Sequence, residues 1–286
     1  MIVTASEALS AAPTLTLSGG SVGSGTGSSS DTVWTYTFTP TDADESVTID
    51  VDTGDITDPA GNSNTASPTQ FAFTHDQTAP TLTIAMSTDG NSGYAKSGDT
   101  ITLTITASES VTGLACTIDG ETATMGGSGT SWTAALTISG DETSGAATFS
   151  CASHTDAAGN TGATDTTANS GAVIIDYTAP TVSSIAVTGV TSGQYGNSGT
   201  YTVVVTASEA LSAAPTLTLG GGTVGSGTGS SSDTVWTYTF TPTDADESVT
   251  IDVDSGDISD PAGNSNTATP TPVSYTHLTL PTKRIV

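Results

Sequence analysis

The sequence predicts an all-β chain of tandem sandwich modules, and three observations lead to this prediction. Residues that favour strands and turns dominate, namely Thr, Val, Ile, Ser and Gly, whereas helix formers are scarce. Short stretches of alternating apolar and polar residues are separated by Gly, Ser, Asn and Asp, which is typical of half-buried strands joined by turns. The same turn motifs return about every 100 residues.

A duplication defines the repeats. Residues 3–69 recur almost letter for letter as residues 205–271, with mild changes such as Ser18 against Gly220. A more divergent unit lies between the copies and shares their Ala-Ser-Glu triplet and their Asp-x-Ala-Gly-Asn loop. A unit of about 100 residues has the size of an immunoglobulin-type sandwich.

These repeats set the expected domain boundaries. The first module should lack its initial strand, because Met1 aligns with Val203 in the middle of a strand. The third should lack its last strand, because the copy diverges after Thr271 into a tail that resembles a translated sequencing-adapter remnant. Only the middle module is therefore expected to fold on its own. The predicted segments are a first module at 1–77, a complete second module at 78–177, a third module at 178–272 and a non-native tail at 273–286.

Alternation predicts the strands of each module. In the outer copies Trp34, Tyr36 and Phe38 alternate with threonines, which places three aromatic rings on one face. We interpret this face as core, and a sugar-stacking platform is the alternative. The strands predicted in the middle module are residues 81–85, 100–107, 114–119, 132–138, 146–151 and 172–176.

The charge balance is strongly acidic. The chain has 29 acidic and 3 basic residues, a net charge of −26, which excludes nucleic acids and anionic lipid surfaces as partners. It has no run of 18 apolar residues, so we expect no membrane span. Divalent cations are natural partners for such a chain, and an acidic surface that keeps the protein soluble in salt is the alternative explanation of the charge.

Three motifs together carry a family resemblance. Gly98 to Glu109 reads GDTITLTITASE, Asp156 to Asn160 reads DAAGN, and Asp176 to Pro180 reads DYTAP. In this order and spacing they resemble the bacterial immunoglobulin-like domains of large surface adhesins and biofilm-associated proteins. The resemblance covers the chain apart from the tail. It implies an extracellular or cell-surface stalk with calcium at the domain junctions, neighbouring repeats as partners, and any host-surface or polysaccharide ligand elsewhere in the full protein.

The sequence does not indicate an enzyme. Its three histidines, His75, His154 and His277, do not recur in a pattern that would supply a catalytic base in each module. Its carboxylates lie in short turns of small sandwiches, where no large cleft is expected. We therefore expect a structural spacer of an adhesin. An accessory module of a secreted polysaccharide-degrading enzyme is the alternative, and a longer reading frame would distinguish the two.

Strand direction predicts where the acidic residues meet. In an immunoglobulin-type sandwich the chain enters at the pole to which the B-C and F-G loops return. Glu109 closes strand B, Asp156 begins the F-G loop and Asp76 lies in the linker, so these three should converge. Calcium, which takes six to eight oxygen ligands, suits such a cluster, whereas turn capping is the alternative role. The same geometry predicts a second cluster of Asp176, Glu209 and Asp260, and it places Glu7 and Asp58 facing a preceding unit.

The two cysteines of the chain fall in neighbouring strands of the middle module. Cys116 and Cys151 share their alternation with Ile118 and Phe149, so both thiols should face the core. We expect a disulfide, which a secreted setting permits. Two buried free thiols are the alternative.

Overall fold

The structure of the chain is a computed structural model. Every regular element in its described residues is a strand, β1 to β24, which confirms the predicted all-β class. None of these residues forms a helix long and apolar enough to cross a membrane. The structure describes residues 1–68, 70–91, 93–152, 154–191, 195–196, 199–243 and 246–278.

The first module forms three small sheets, β1-β4, β3-β5 and β2-β6-β7. Trp34 and Tyr36 are buried beside Leu9, which supports the interpretation of the aromatic stripe as core, whereas Phe38 is only half-buried. The Tyr36 hydroxyl reaches inward to the carbonyl of Pro13. The strands are β1 Ile2–Thr4, β2 Thr16–Ser18, β3 Ser21–Val22, β4 Val33–Thr35, β5 Phe38–Thr39, β6 Asp44–Asp50 and β7 Phe71–Asp76.

The second module has the most extensive core. Along its longest inner strand Ile101, Leu103 and Ile105 are buried, whereas the threonines between them face outward, as period-two alternation requires. Its sheets are β8-β10-β13, β12-β11-β15 and β9-β16-β14. The strands are β8 Leu82–Thr88, β9 Tyr94–Ala95, β10 Thr100–Val111, β11 Ala115–Ile118, β12 Glu121–Thr122, β13 Thr124–Thr137, β14 Gly145–Ala146, β15 Phe149–Ala152 and β16 Ile174–Ile175.

A disulfide joins two strands of this core. Cys116 in β11 lies directly opposite Cys151 in β15, with their Cα atoms 4.1 Å apart. Both residues are buried, and the sulfur atoms are bonded to each other. The bridge closes a segment of 35 residues within the middle module.

The third module builds two larger sheets, β17-β19-β22-β21 and β18-β24-β23-β20. Phe240 is completely buried, next to Trp236 and Tyr238 of the same strand. The strands are β17 Val182–Val187, β18 Tyr195–Gly196, β19 Tyr201–Ala207, β20 Thr218–Gly220, β21 Thr223–Val224, β22 Val235–Thr241, β23 Asp246–Asp252 and β24 Val273–Leu278.

The expectation that the third module lacks its last strand is wrong. Strand β24 pairs with β23, and Ile251 lies opposite Val273 just as Ile49 lies opposite Phe71 in the first module. The physical reason is alternation: Val273 and Tyr275 are apolar and buried at the positions of Phe71 and Phe73. Residues 273–278 therefore belong to the third module of the fold. The remainder of the predicted tail, 279–286, lies outside the described residues.

Candidate metal sites at the module junctions

The structure brings three carboxylates together where the first module meets the second. Asp76 ends β7, Glu109 lies near the end of β10, and Asp156 lies in the loop after β15. One carboxylate oxygen of each lies within 4.8 Å of the others. Asp156 is buried, and the other two are half-buried. The first predicted triplet thus shares one point in space.

A second triplet of the same composition lies where the second module meets the third. Asp176, Glu209 and Asp260 also offer three oxygens within 4.8 Å of one another, with the same order of burial. Glu7 and Asp58, their counterparts in the first module, belong to no such triplet among the described residues. The linker carboxylate is therefore what completes each cluster.

A tight loop holds the buried Asp of each cluster. The Asp156 carboxylate accepts hydrogen bonds from the backbone amides of Gly159 and Asn160, at 2.7 and 2.9 Å, and from the Asn160 side chain at 2.8 Å. Burial raises the pKa of Asp156, but these hydrogen bonds outweigh it, so the net shift is downward. The loop thus keeps this carboxylate ionised and fixed in direction.

The asparagine of the same loop fastens the linker. Asn160 Nδ2 donates to the Asp76 carbonyl at 3.2 Å, and Asn264 Nδ2 donates to the Asp176 carbonyl at 3.0 Å. Among the described residues, the Asn62 side chain donates its hydrogen bond to Asp58, at 2.7 Å, within the same loop. Sequence reasoning missed this role of the asparagines, although the recurrence of Asp-x-Ala-Gly-Asn was a signal for it.

The charged forms of Glu109 and Glu209 are disfavoured in these clusters. Partial desolvation raises the pKa of Glu109, and the charges of Asp76 and Asp156 raise it further. The pKa of Glu209 is raised for the same reasons, first by desolvation and then by Asp176 and Asp260. Oε1 of Glu209 is buried and has no hydrogen-bond partner. Each cluster therefore concentrates negative charge that its own side chains leave uncompensated.

The oxygen spacing suits a hard divalent cation. Calcium binds oxygen at about 2.3–2.6 Å, so two oxygens on one ion lie at most about 5 Å apart. In both clusters the three oxygens lie within 4.8 Å of one another, which meets this condition. The one Lys or Arg among the described residues, Lys96, donates to the carbonyl of Gly263 at 2.6 Å in the Asp260 loop. It binds the backbone there and forms no ion pair with the cluster.

Two further acidic residues hold the linkers and were not predicted. Asp44 accepts hydrogen bonds from the backbone amides of Gln77 and Thr78, at 3.0 and 3.2 Å. Glu142 accepts one from the hydroxyl of Tyr177 at 2.7 Å. Burial opposes ionisation of Glu142, but hydrogen bonds from the Ser139 amide and from Tyr177 prevail and lower its pKa to about 2. Each linker is thus bound to the module before it as well as to the module after it.

The comparison with protein families agrees with the motifs. The sequence profile of the bacterial Ig-like domain matches the chain three times, at residues 3–74, 76–173 and 176–277. These matches confirm the resemblance, and the third includes nearly all of β24. No curated protein matches the chain.

Several solved structures are similar over much of the chain, at low identity. A tandem from titin is 10% identical and covers 98% of this chain and 91% of its own, with a TM-score of 0.28. Fibronectin(III)-like modules of Clostridium thermocellum CbhA are 16% identical over 70% of this chain and 94% of theirs, with a TM-score of 0.29. Bacteroides ovatus SGBP-B, solved with a mixed-linkage heptasaccharide, is 17% identical over 93% of this chain and 60% of its own, with a TM-score of 0.22. At these values none of them bears on function.

Proposed function

This chain belongs to the bacterial Ig-like domain family, and we propose that it is an extracellular spacer of an adhesin-type repeat protein whose module junctions are stiffened by calcium. The observation that carries the proposal is the composition of the two carboxylate triplets. Each combines one carboxylate from the end of one module, Asp76 or Asp176, with two from the module that follows. An ion bound by all three would therefore join one module to the next.

Stiffening follows from the number of attachments at each linker. Asn160 already holds the backbone of Asp76, and Asp44 holds the amides of the two residues that follow it. Without a cation, repulsion among the three carboxylates opposes this closed arrangement. Calcium would replace that repulsion with attraction, and backbone carbonyls and water would complete its shell. The linker would then have fewer conformations, as a spacer requires.

The remaining features fit the same function. The modules follow one another directly in the family matches, with one residue between the first two and two between the next. A net charge of −26 opposes sideways association of such chains and favours counter-cations. The accessory-module alternative predicts the same modules beside a catalytic domain. A longer reading frame separates the two, because many further repeats would indicate a spacer.

A calcium titration of the full chain tests the proposal. We expect millimolar calcium to raise the melting temperature by mass action and to lengthen the particle measured by small-angle scattering. Magnesium at equal concentration should do less, because it prefers a rigid octahedral shell. Unchanged melting and unchanged scattering would leave the acidic residues as ordinary surface charge.

Paired variants locate the effect. Glu109→Gln and Glu209→Gln each remove one charge, so both should weaken the calcium response while raising stability slightly in the absence of calcium. Stability without calcium should rise because the raised pKa values mean that the fold disfavours the ionised form of each glutamate. Glu7→Gln is the matched control, since Glu7 occupies the same motif without a triplet. An equal response of all three variants would place calcium elsewhere.

A further inference from the structure

The second and third modules also meet outside their carboxylate triplet. The contact is made by Lys96, which directly follows β9 of the second module. Its ammonium group donates a hydrogen bond to the carbonyl of Gly263, 167 positions further along the chain, at 2.6 Å. Lys96 is the single Lys or Arg in the part of the chain that the structure describes, and both residues of this bond are half-buried. The bond therefore joins two modules without using a carboxylate.

The second module itself holds the backbone around Lys96. The Lys96 amide donates to Oδ2 of Asp99 at 2.9 Å. The carbonyl of the preceding residue, Ala95, accepts a hydrogen bond from the Asp176 amide at 2.9 Å, and Ala95 is completely buried. Strand β9 also pairs with β16, the strand that leads into the linker. Because Lys96 extends from a fixed point beside the linker, a bond from its side chain constrains the position of the next module.

The loop that receives Lys96 lies close against the second module. Gly263 has a φ of +82°, and a β-carbon there would lie 2.8 Å from Nδ2 of Asn91 and 3.2 Å from Nζ of Lys96. Both the backbone conformation and the space therefore favour glycine at this position. The neighbouring Ala262 is 1% exposed, whereas Ala158, at the same position of the second module's loop, is exposed. Contact with the second module, rather than the fold of the loop, thus buries Ala262.

A second hydrogen bond crosses the same boundary in the opposite direction. Nδ2 of Asn264, the residue after Gly263, donates to the Asp176 carbonyl at 3.0 Å. Asp176 is in turn bound to Ala95, the residue before Lys96. These contacts form a closed ring of hydrogen bonds, the Lys96 clasp, and both bonds between the modules must break before it opens. No oxygen atom of the clasp belongs to a carboxylate.

We propose that the Lys96 clasp holds the second and third modules in a fixed relative orientation without any metal ion. A hydrogen bond from an ammonium group contributes more to stability than one between neutral groups, so Lys96 is the main support of the clasp. Without a cation, repulsion among Asp176, Glu209 and Asp260 opposes closure, and the clasp acts against it. This inference does not depend on calcium binding. It means that the junction stays stiff at calcium concentrations too low to fill the triplet.

Distances between spin labels on the two modules, measured in EDTA, test the proposal on the full chain. Thr104 and Thr239 are exposed in β10 and β22, so Thr104→Cys and Thr239→Cys place one label on each module. The native cysteines are joined in their disulfide and take no label. We expect one narrow distance distribution in EDTA. A broad distribution that narrows only when calcium is added would overturn the proposal, because the triplet would then hold the junction.

Substitutions at Lys96 identify the bond itself. Lys96→Met keeps an apolar stem and removes the donors, so the fraction of spin pairs outside the main distance should rise at least about tenfold in EDTA. Lys96→Arg keeps a charged donor and should retain most of the narrow distribution. Asn91→Ala is the matched control, because the Asn91 side chain lies beside Gly263 but forms no hydrogen bond with a described residue.

The stability of each module is followed in the same variants. Fluorescence of Trp132 and Trp236 should show unchanged melting of the second and third modules, so that a change in distance reports the junction alone. An unchanged distance distribution in Lys96→Met would refute the clasp. Equal broadening in Lys96→Met and Asn91→Ala would also refute it, since the contact would then depend on packing rather than on the ammonium group.

Discussion

The first and third modules share almost the same sequence over 67 aligned positions, yet they differ in core. The contiguous buried cluster of the third module contains 15 residues, whereas that of the first contains Leu9, Trp34 and Tyr36. Val47 and Ile49 are buried as well, but outside that cluster. The difference arises because β17 and Tyr201 close one side of the third module, and nothing described closes that side of the first.

Local geometry is the same in both modules. The Tyr36 hydroxyl bonds the Pro13 carbonyl at 2.7 Å, and the Tyr238 hydroxyl bonds the Pro215 carbonyl at 2.6 Å. The strand registers of the shared segments also coincide. The comparison shows that the local alternation of apolar and polar residues decides which side chains point inward. Strands that are distant in the sequence decide how much of the surface of those side chains is buried.

The largest expected effect is a difference in stability loss between two matched substitutions, one in the third module and one in the first. Phe240→Ala should destabilise the third module by about 3–5 kcal/mol, because Phe240 is completely buried. Phe38→Ala should cost the first module less than about half as much, because Phe38 already borders an open groove. Each module has one tryptophan, so variants that keep only Trp236 or Trp34 report the two transitions separately by fluorescence. Equal losses would mean that burial in the two modules is equivalent in solution.

The second expected effect is a loss of stability that is confined to the middle module. Replacing Cys116 and Cys151 together by alanine should lower the stability of the middle module by about 4 kcal/mol, since the bridge closes 35 residues. The outer modules have no cysteine and should melt as before, as Trp34 and Trp236 fluorescence would record. A thiol count in the oxidised, denatured chain should give none, and a count of two would contradict the bridge.

The smallest expected effect is a loss of stability at low pH. Glu142 has a folded-state pKa of about 2 against an ordinary 4.5, so its contribution to stability is present above about pH 4.5 and is lost as the pH falls towards 2. Tyr177→Phe should remove about 1–3 kcal/mol of that contribution at neutral pH, because it deletes a hydrogen bond to an ionised group. Melting curves between pH 2 and 7, compared with the exposed control Glu121→Gln, measure it. An unchanged acid profile in Glu142→Gln would exclude this residue as the source.

Much of the middle module and both carboxylate triplets could be predicted from the sequence. Alternation located β8, β10 and β11, and the recurring loop motifs placed Asp156 and Asp260 at the junctions. Strand β24 does not follow from letter identity, because residues 273–278 differ from the first copy in sequence and keep only the alternation of Val273 and Tyr275.

The linker contacts could not be predicted in the same way. The contact between Glu142 and Tyr177 joins positions 35 residues apart that do not recur in the other modules. Asp44 and Thr78 are likewise 34 residues apart. Pairings of this kind depend on the final packing of strands, for which a single sequence carries no periodic signal.

The Cys116–Cys151 bridge also sets how far the chain can lengthen under tension. When a force pulls on the two ends, an unfolded module without a bridge contributes its whole contour, at about 3.3–3.6 Å per residue. The 35 residues spanned by the bridge cannot extend, so the extension of the second module is shorter by on the order of 120 Å. Stretched end to end, the chain would therefore yield two long extension steps and one shorter step, and a reducing agent would lengthen the shorter one.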